Sequence, residues 1–333
     1  MPNYKLTFHS SSNFSGLSEW LKGYFGIPDM FLGSKSKNSL CIEIDLNGQF
    51  FEATGINAQA PRIGRYSRIS FEDAGVDGFK LENEVGEEIP THAGKKKYLV
   101  CIKDTLVMFQ STLAFISKTT DDAKLIISAT DVLPQTSKDY MARMRFTEEN
   151  MDVAIAKDKM YISGDGVHVG YNVFKIDFVP IVSNTFFDEM FSGFGRPQVS
   201  VEVDGSRIKL LSDTLKIVSD TSGEDKSTQA VNVELKPNGD FFVTAPDGSF
   251  SVKLGEAHDN APFSFPISRG DLSAFLYGND SSSNKVIFKV TPDACGMQAP
   301  RIVSAHVMDG HSGEESKYFI IEVIKRAEST IKI

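Results

Sequence analysis

Residues 201–221, VEVDGSRIKLLSDTLKIVSDT, state a phrase that the chain has already stated a hundred residues earlier as VCIKDTLVMFQSTLAFISKT, residues 100–119. Val100, Ile102, Leu106, Met108, Leu113 and Phe115 fall on Val201, Val203, Ile208, Leu210, Leu215 and Ile217, with one residue inserted at Arg207. Apolar residues at alternate positions predict half-buried antiparallel strands, three in succession in each copy. A second phrase recurs as well. NGQFFEATGINAQAPRI from Asn47 resembles NGDFFVTAPDGSFSVKL from Asn238, and KDKMYISGDGVHVGYNV from Lys157 fits the same frame of polar turn, strand, turn and strand. Two phrases that alternate in order mark an internally repeated fold.

Short amphipathic helices are predicted between the strands, at 15–25 (SGLSEWLKGYF), 137–146 (SKDYMARMRF), 184–194 (NTFFDEMFSGF) and 268–278 (SRGDLSAFLYG). Each has apolar residues at i, i+3 or i+4, and most have Ser, Asn or Asp near the start as a cap. A fifth, SFEDAGVDGFK at 70–80, carries two glycines. The pattern of strand, helix and several strands returns every 50 to 60 residues, roughly, which predicts an α+β protein of three domains, each of two half-units. Their expected spans are 1–121, 122–222 and 223–333.

At 333 residues, with 41% hydrophobic and 24% charged residues, the chain can bury the cores of such domains. No run approaches the roughly 20 apolar residues of a membrane span, and the start, MPNYKLTFHSSSNF, has neither the basic opening nor the apolar run of a secretory signal. A cytoplasmic protein without membrane contact is expected. Cys41, Cys101 and Cys295 are odd in number and widely spaced, so buried thiols are expected rather than a disulfide framework or a metal site. The net charge of -9 excludes a surface that grips nucleic acid all over.

Enzyme signatures are absent: no G-x-S-x-G, HExxH or P-loop occurs. GDGVHVG, residues 164–170, has the glycines of a dinucleotide loop, yet Val167, Val169, Tyr171 and Val173 alternate as a strand where that loop needs a helix. His168 and His311 stand near carboxylates beside turns and read as solvated side chains. The chain is expected to be a non-enzyme that needs no cofactor.

The run FVPIVSNTFFDEMFSGFGRPQVSVEVDGSRIKLLSDTLKIVSDT, residues 178–221, resembles the second half of a domain of the bacterial DNA sliding clamp. In that family a strand ending in Val-Pro enters a helix with paired aromatic or aliphatic residues and is followed by strands of this kind. MYISGDGVHVGYNV, residues 160–173, resembles the clamp's middle-domain hairpin; Asp165 and Gly166 fit its pattern, and Gly164, Val167 and His168 depart from it. The resemblance is one of pattern, best over 150–222 and least over 223–333. It implies clamp-type half-domains, with antiparallel sheets outside and short helices inside a pseudo-symmetric ring, assembled from identical chains. Three domains per chain imply a dimer; if the last third is not a clamp domain, a trimer of two-domain chains is implied.

By the same resemblance the partners are double-stranded DNA, bound without sequence preference, and a DNA polymerase and clamp loader, bound through short peptides. The peptide pocket would take Asp165, Gly166, Val167, His168, Val169 and Pro180, completed by Ile331 and Ile333, although the ending STIKI is not the family's usual one. Helices that line a ring must offer the duplex positive charge. On 137–146, Tyr140, Met141 and Met144 form an apolar stripe while Lys138 and Arg145 lie together on another side, flanked by Arg143. Lys22, Lys80, Arg196 and Arg269 are the further candidates for DNA contact. The competing reading is a β-rich structural protein of a virion or another assembly, whose repeats only stack sheets.

Overall fold

Residues 205–222 form a helix rather than two strands, and so do residues 106–119. In the computed structural model, which describes residues 3–12, 14–25, 27, 39–56, 62–119, 122–131, 153–164, 166–173, 199–222, 230–257, 262–276, 285–291, 301–308 and 315–322, each repeated phrase is one strand leading into one helix. The apolar set explains the reversal. Leu106, Phe109, Leu113 and Ile116 are buried, as are Ile208, Leu211 and Leu215. Steps of three and four residues place them on one side of a helix. The alternation seen in the sequence arises because residues seven apart, two helical turns, share a face, so that two such pairs set side by side imitate period two.

The half-unit of strand, helix and three strands occurs four times. The first is β1 (Asn3–Ser10), α1 (Ser15–Lys22), β2 (Leu40–Asp45), β3 (Phe50–Ile56) and β4 (Arg62–Ser70). A four-residue helix, α2 (Phe71–Ala74), and β5 (Gly78–Glu82) follow it. The second half-unit is β6 (Lys97–Ile102), α3 (Leu106–Thr119), β7 (Ala123–Asp131), β8 (Val153–Gly164) and β9 (Val167–Asn172). The third is β10 (Val199–Asp204), α4 (Gly205–Ser222), β11 (Ala230–Leu235), β12 (Asp240–Thr244) and β13 (Ser251–Glu256). The fourth is β14 (Phe263–Ser268), α5 (Arg269–Leu276), β15 (Lys285–Thr291), β16 (Arg301–Met308) and β17 (Glu315–Glu322).

The chain divides into two compact units, residues 1–56 with 66–183, and residues 57–65 with 184–333. The boundaries expected at 121 and 222 both fall inside a unit: β1 pairs along its whole length with β7, and α4 packs on β13. Within the first unit the half-units trade their opening strands. β1 pairs with β7, the second strand of the other half-unit, and β6 pairs with β2. The second unit repeats the exchange, with β10 on β15 and β14 on β11. The remaining strands follow as antiparallel hairpins, β2–β3, β7–β8–β9, β11–β12–β13 and β15–β16–β17. In the first unit β6 and the start of β8 also pair in parallel.

The hairpins lie where the polar turns predicted them after Asn47 and after Asn238. At Lys157 the expected turn is replaced by continuous strand, since β8 runs through it with only a register shift on β7, and the hairpin to β9 turns at the second predicted turn, by Gly166. Gly166, at φ 81, supplies the left-handed turn residue between β8 and β9. The helices expected at 15–25 and 268–278 are α1 and α5. That at 70–80 stops after one turn, because Gly75 takes a left-handed cap at φ 84 and the chain re-enters a strand at Gly78. Those at 137–146 and 184–194 lie outside the described residues.

Aromatic rings fill the first unit between sheet and helices. Phe8 on β1 sits 5.5 Å from Phe51 on β3, which sits 4.8 Å from Phe71 on α2. Burying each such ring contributes about 1.5–3 kcal/mol. Tyr24, just past α1, is fully buried and donates its hydroxyl to the Ala53 carbonyl at 2.7 Å, which ties the helix end to β3. In the second unit Phe241 on β12 meets Phe288 on β15 at 5.9 Å. β13 crosses β10 so closely that a Cβ on Gly255 would stand 2.9 Å from Val201 Cγ1 and 3.0 Å from the Glu202 carbonyl oxygen.

Candidate functional site

Each unit carries a helix pair against its sheet. In the first, α1 packs on α3, and Gln110 of α3 donates its side-chain amide to Ser18 Oγ of α1 at 2.8 Å, both groups buried. In the second, α4 packs on α5, and the guanidinium of Arg269, the first residue of α5, donates to the Leu215 carbonyl of α4. Arg269 is 3% exposed. It joins two helices, so the DNA contact expected of it is replaced by a structural role: at the start of a helix the sequence cannot reveal which way so long a side chain turns.

The repeat extends to the outer helix faces. Met108 and Phe115 on α3 are 63% and 57% exposed; their counterparts Leu210 and Ile217 on α4 are 47% and 68% exposed. Thr112 Oγ1 donates to the Met108 carbonyl at 3.0 Å, and Thr214 Oγ1 makes the same bond to the Leu210 carbonyl at 2.7 Å. The copies differ in charge. Where α3 has Val107 and Ala114, α4 has Lys209 and Lys216, both exposed, and Arg207 lies exposed in the first turn of the helix. Lys216 also reaches Asp213 at 3.4 Å. Reading 205–222 as strands hid these cations; a helical wheel over the same residues brings Lys209, Asp213 and Lys216 to one face.

The sequence matches no protein-family model and no curated protein. Solved structures do match in shape. A DNA polymerase sliding clamp from Pseudomonas aeruginosa aligns over 95% of this chain and 66% of its own, with TM-score 0.52 and 12% identity. A putative DNA polymerase III beta subunit from Eubacterium rectale aligns over 96% and 66%, with TM-score 0.51 and 13% identity. The Helicobacter pylori beta clamp, in complex with carprofen, aligns over 95% and 66%, with TM-score 0.51 and 8% identity. The fold is that of the DNA sliding clamps. The chain spans about two thirds of the length of these clamps.

On the clamp fold the remaining candidates separate. Lys22 ends α1 and pairs with Glu19. Lys80 is on β5 rather than on a helix, held by Glu82 at 2.9 Å and Glu88 at 3.9 Å. Lys138, Arg143, Arg145 and Arg196 lie outside the described residues, as do Asp165, Pro180, Ile331 and Ile333 of the expected peptide pocket. The rest of that pocket is the β8–β9 hairpin. Val167 and Val169 are half-buried and pack on the core of the first unit. His168 between them is exposed, and its ring stacks on Tyr161 with centroids 4.7 Å apart. The hairpin is seated on α3 through Tyr171, whose hydroxyl contacts Thr112 and donates to the Met108 carbonyl at 3.2 Å.

Among the described residues no helix is long and apolar enough to cross a membrane, and no cluster of His, Cys, Asp and Glu could hold a metal ion.

Proposed function

We propose that this chain is the subunit of a sliding clamp: copies close into a ring that encircles duplex DNA and tethers a polymerase for processive synthesis. The observation that carries this is the fourfold half-unit with its exchanged opening strands, on a fold shared with DNA polymerase sliding clamps. The competing structural-protein reading gives no reason for a helix pair in each unit. Two units per chain, covering two thirds of the bacterial clamps they align with, favour a trimer over the dimer. Ring closure would use strand edges: among the described residues β9 pairs only with β8 and β13 only with β12. An open edge is a template for another chain, and a head-to-tail contact of two different edges closes into a ring.

The duplex would meet the outer helix faces, where Arg207, Lys209 and Lys216 supply cations on an acidic chain. Lys22, Lys138, Arg143, Arg145 and Arg196 are retained as candidates on the same reasoning. Such contacts are sequence-independent and weakened by salt. Short peptides of the polymerase and loader would dock at the β8–β9 hairpin, where the stacked Tyr161–His168 pair is the open aromatic surface.

Threading tests the whole proposal. The protein is mixed with linear duplex, the duplex ends are then blocked, and the complex is washed in high salt. Protein that stays bound until the duplex is cut by a nuclease encircles it; protein that washes off before cutting overturns the reading.

A further inference from the structure

Cys41 on β2 and Cys101 on β6 stand directly opposite each other in the antiparallel register, with Sγ atoms 2.7 Å apart. Both are reduced cysteines, buried on the sheet face that also carries Glu43 and Leu99. Directly paired antiparallel residues have Cα atoms about 4.5–5.5 Å apart, inside the 4.4–6.8 Å window that a disulfide requires. The two sulfurs are neighbours, each presented to the other by strands that the ladder holds in place.

We propose that Cys41 and Cys101 are a dithiol site that two-electron oxidants convert to an intramolecular disulfide: glutathione disulfide by two exchanges that release two glutathione thiols, hydrogen peroxide through a sulfenic acid. With peroxide, one thiolate attacks a peroxide oxygen; the O–O bond breaks, hydroxide leaves, and the sulfur, oxidised by two electrons, becomes a sulfenic acid. The second thiol attacks that sulfur: the S–S bond forms, the S–O bond breaks, and water leaves with the thiol's proton. Two thiols and one peroxide thus give one disulfide and two waters. Geometry favours closure over further oxidation, because the resolving sulfur already lies against the first. β2 belongs to the first half-unit and β6 to the second, so the bond would fasten together the two halves of the first unit. Closing a loop of some sixty residues restricts the unfolded chain and raises Tm by about 5 °C or more.

The test uses the full chain with Cys295→Ser, so that two thiols remain. One sample is treated with hydrogen peroxide while folded; another is refolded from guanidinium in oxidised glutathione, which gives the sulfurs access whatever the burial. Both are then unfolded, labelled with a maleimide of known mass, and weighed intact. Reduced protein takes two labels. Loss of both labels with a mass 2 Da below the reduced chain, in either sample and without dimers on a non-reducing gel, supports the proposal. Cys41→Ala and Cys101→Ala controls should each keep one label-competent thiol or gain oxygen, and never lose 2 Da. Two labels retained in both samples, stable oxygen adducts on either cysteine of the paired chain, or linked dimers overturn it.

Discussion

Glu43 on β2 faces Glu52 on β3 as a direct cross-strand pair, and both carboxyls are buried. Lys97 reaches Glu43 and lies 3.8 Å from Glu52, while the hydroxyl of Tyr66 donates to Glu52. Two carboxylates and one ammonium in so dry a place leave a charge unbalanced, and the pair responds by keeping a proton.

Burial and the hydrogen bond shared with Glu52 push Glu43 up to about 8, against the attraction of Lys97, from a usual value of 4.5. Between those values the folded chain holds a proton that the unfolded chain has released. Stability from this site is therefore full below pH 4.5 and is lost as pH rises through 8. Glu43→Gln, which is neutral at every pH, should raise Tm at pH 8.5 by about 3 °C and flatten the fall between pH 6 and 8.5 in thermal melts. An unchanged slope would place the titration elsewhere.

Assembly is read by mass. Light scattering at micromolar concentration should give three times 36.7 kDa, about 110 kDa. Ala245 N donates to the Phe250 carbonyl, which turns the N–H of the next residue, Ser251, toward the open side of β13. Ser251→Pro removes that donor without touching the β12 ladder. It should yield monomers with an unaltered circular dichroism spectrum; trimers from this variant would move the interface away from β13.

Charge reversal at Arg207, Lys209 and Lys216 to Glu should shorten the lifetime on end-blocked duplex at least tenfold, roughly, and lower the salt slope of binding by about 2–3. Oligomer mass should not change. A separate triple reversal of Lys138, Arg143 and Arg145 weighs the other candidate helix, and the larger loss identifies the face that carries the duplex.

Leu113 and Phe115, alternate residues in sequence, should behave oppositely. Leu113→Ala opens a cavity in the core and costs about 2–5 kcal/mol, whereas Phe115→Ala, on an exposed face, stays within about 0.5 kcal/mol. Leu215 and Ile217 should repeat the contrast. Equal losses at both members of a pair would contradict the helix. Denaturant titrations decide it.

The half-unit, its repetition and all three hairpins could be read from the sequence because turns are local: Asn47-Gly48, Asp165-Gly166 and Asn238-Gly239 announce themselves within two residues. The helices α3 and α4 could not be told from strands on Leu106, Met108, Leu113 and Phe115 alone; Phe109 and Ile116 were needed to break the tie. The sequence extends a helix to Lys80 because the capping role of Gly75 is a matter of backbone angle rather than composition. What long-range register creates was illegible. Nothing in the chain marks Cys41 as the partner of Cys101, or Glu43 as that of Glu52, until β2 has found β6 and β3.

The exchange of opening strands has a consequence for synthesis on the ribosome. β1 leaves the exit tunnel first, but its partner β7 ends at Asp131. At about 5–20 residues per second, β1 must wait on the order of 10 s for that partner to be made. Over that interval Leu6 and Phe8, which finish fully buried, have at most β5 on one side and nothing on the other. The first unit thus depends on long-range contacts that come late. Codon usage or chaperone binding over residues 40–120 would tune yield more strongly than changes near either end.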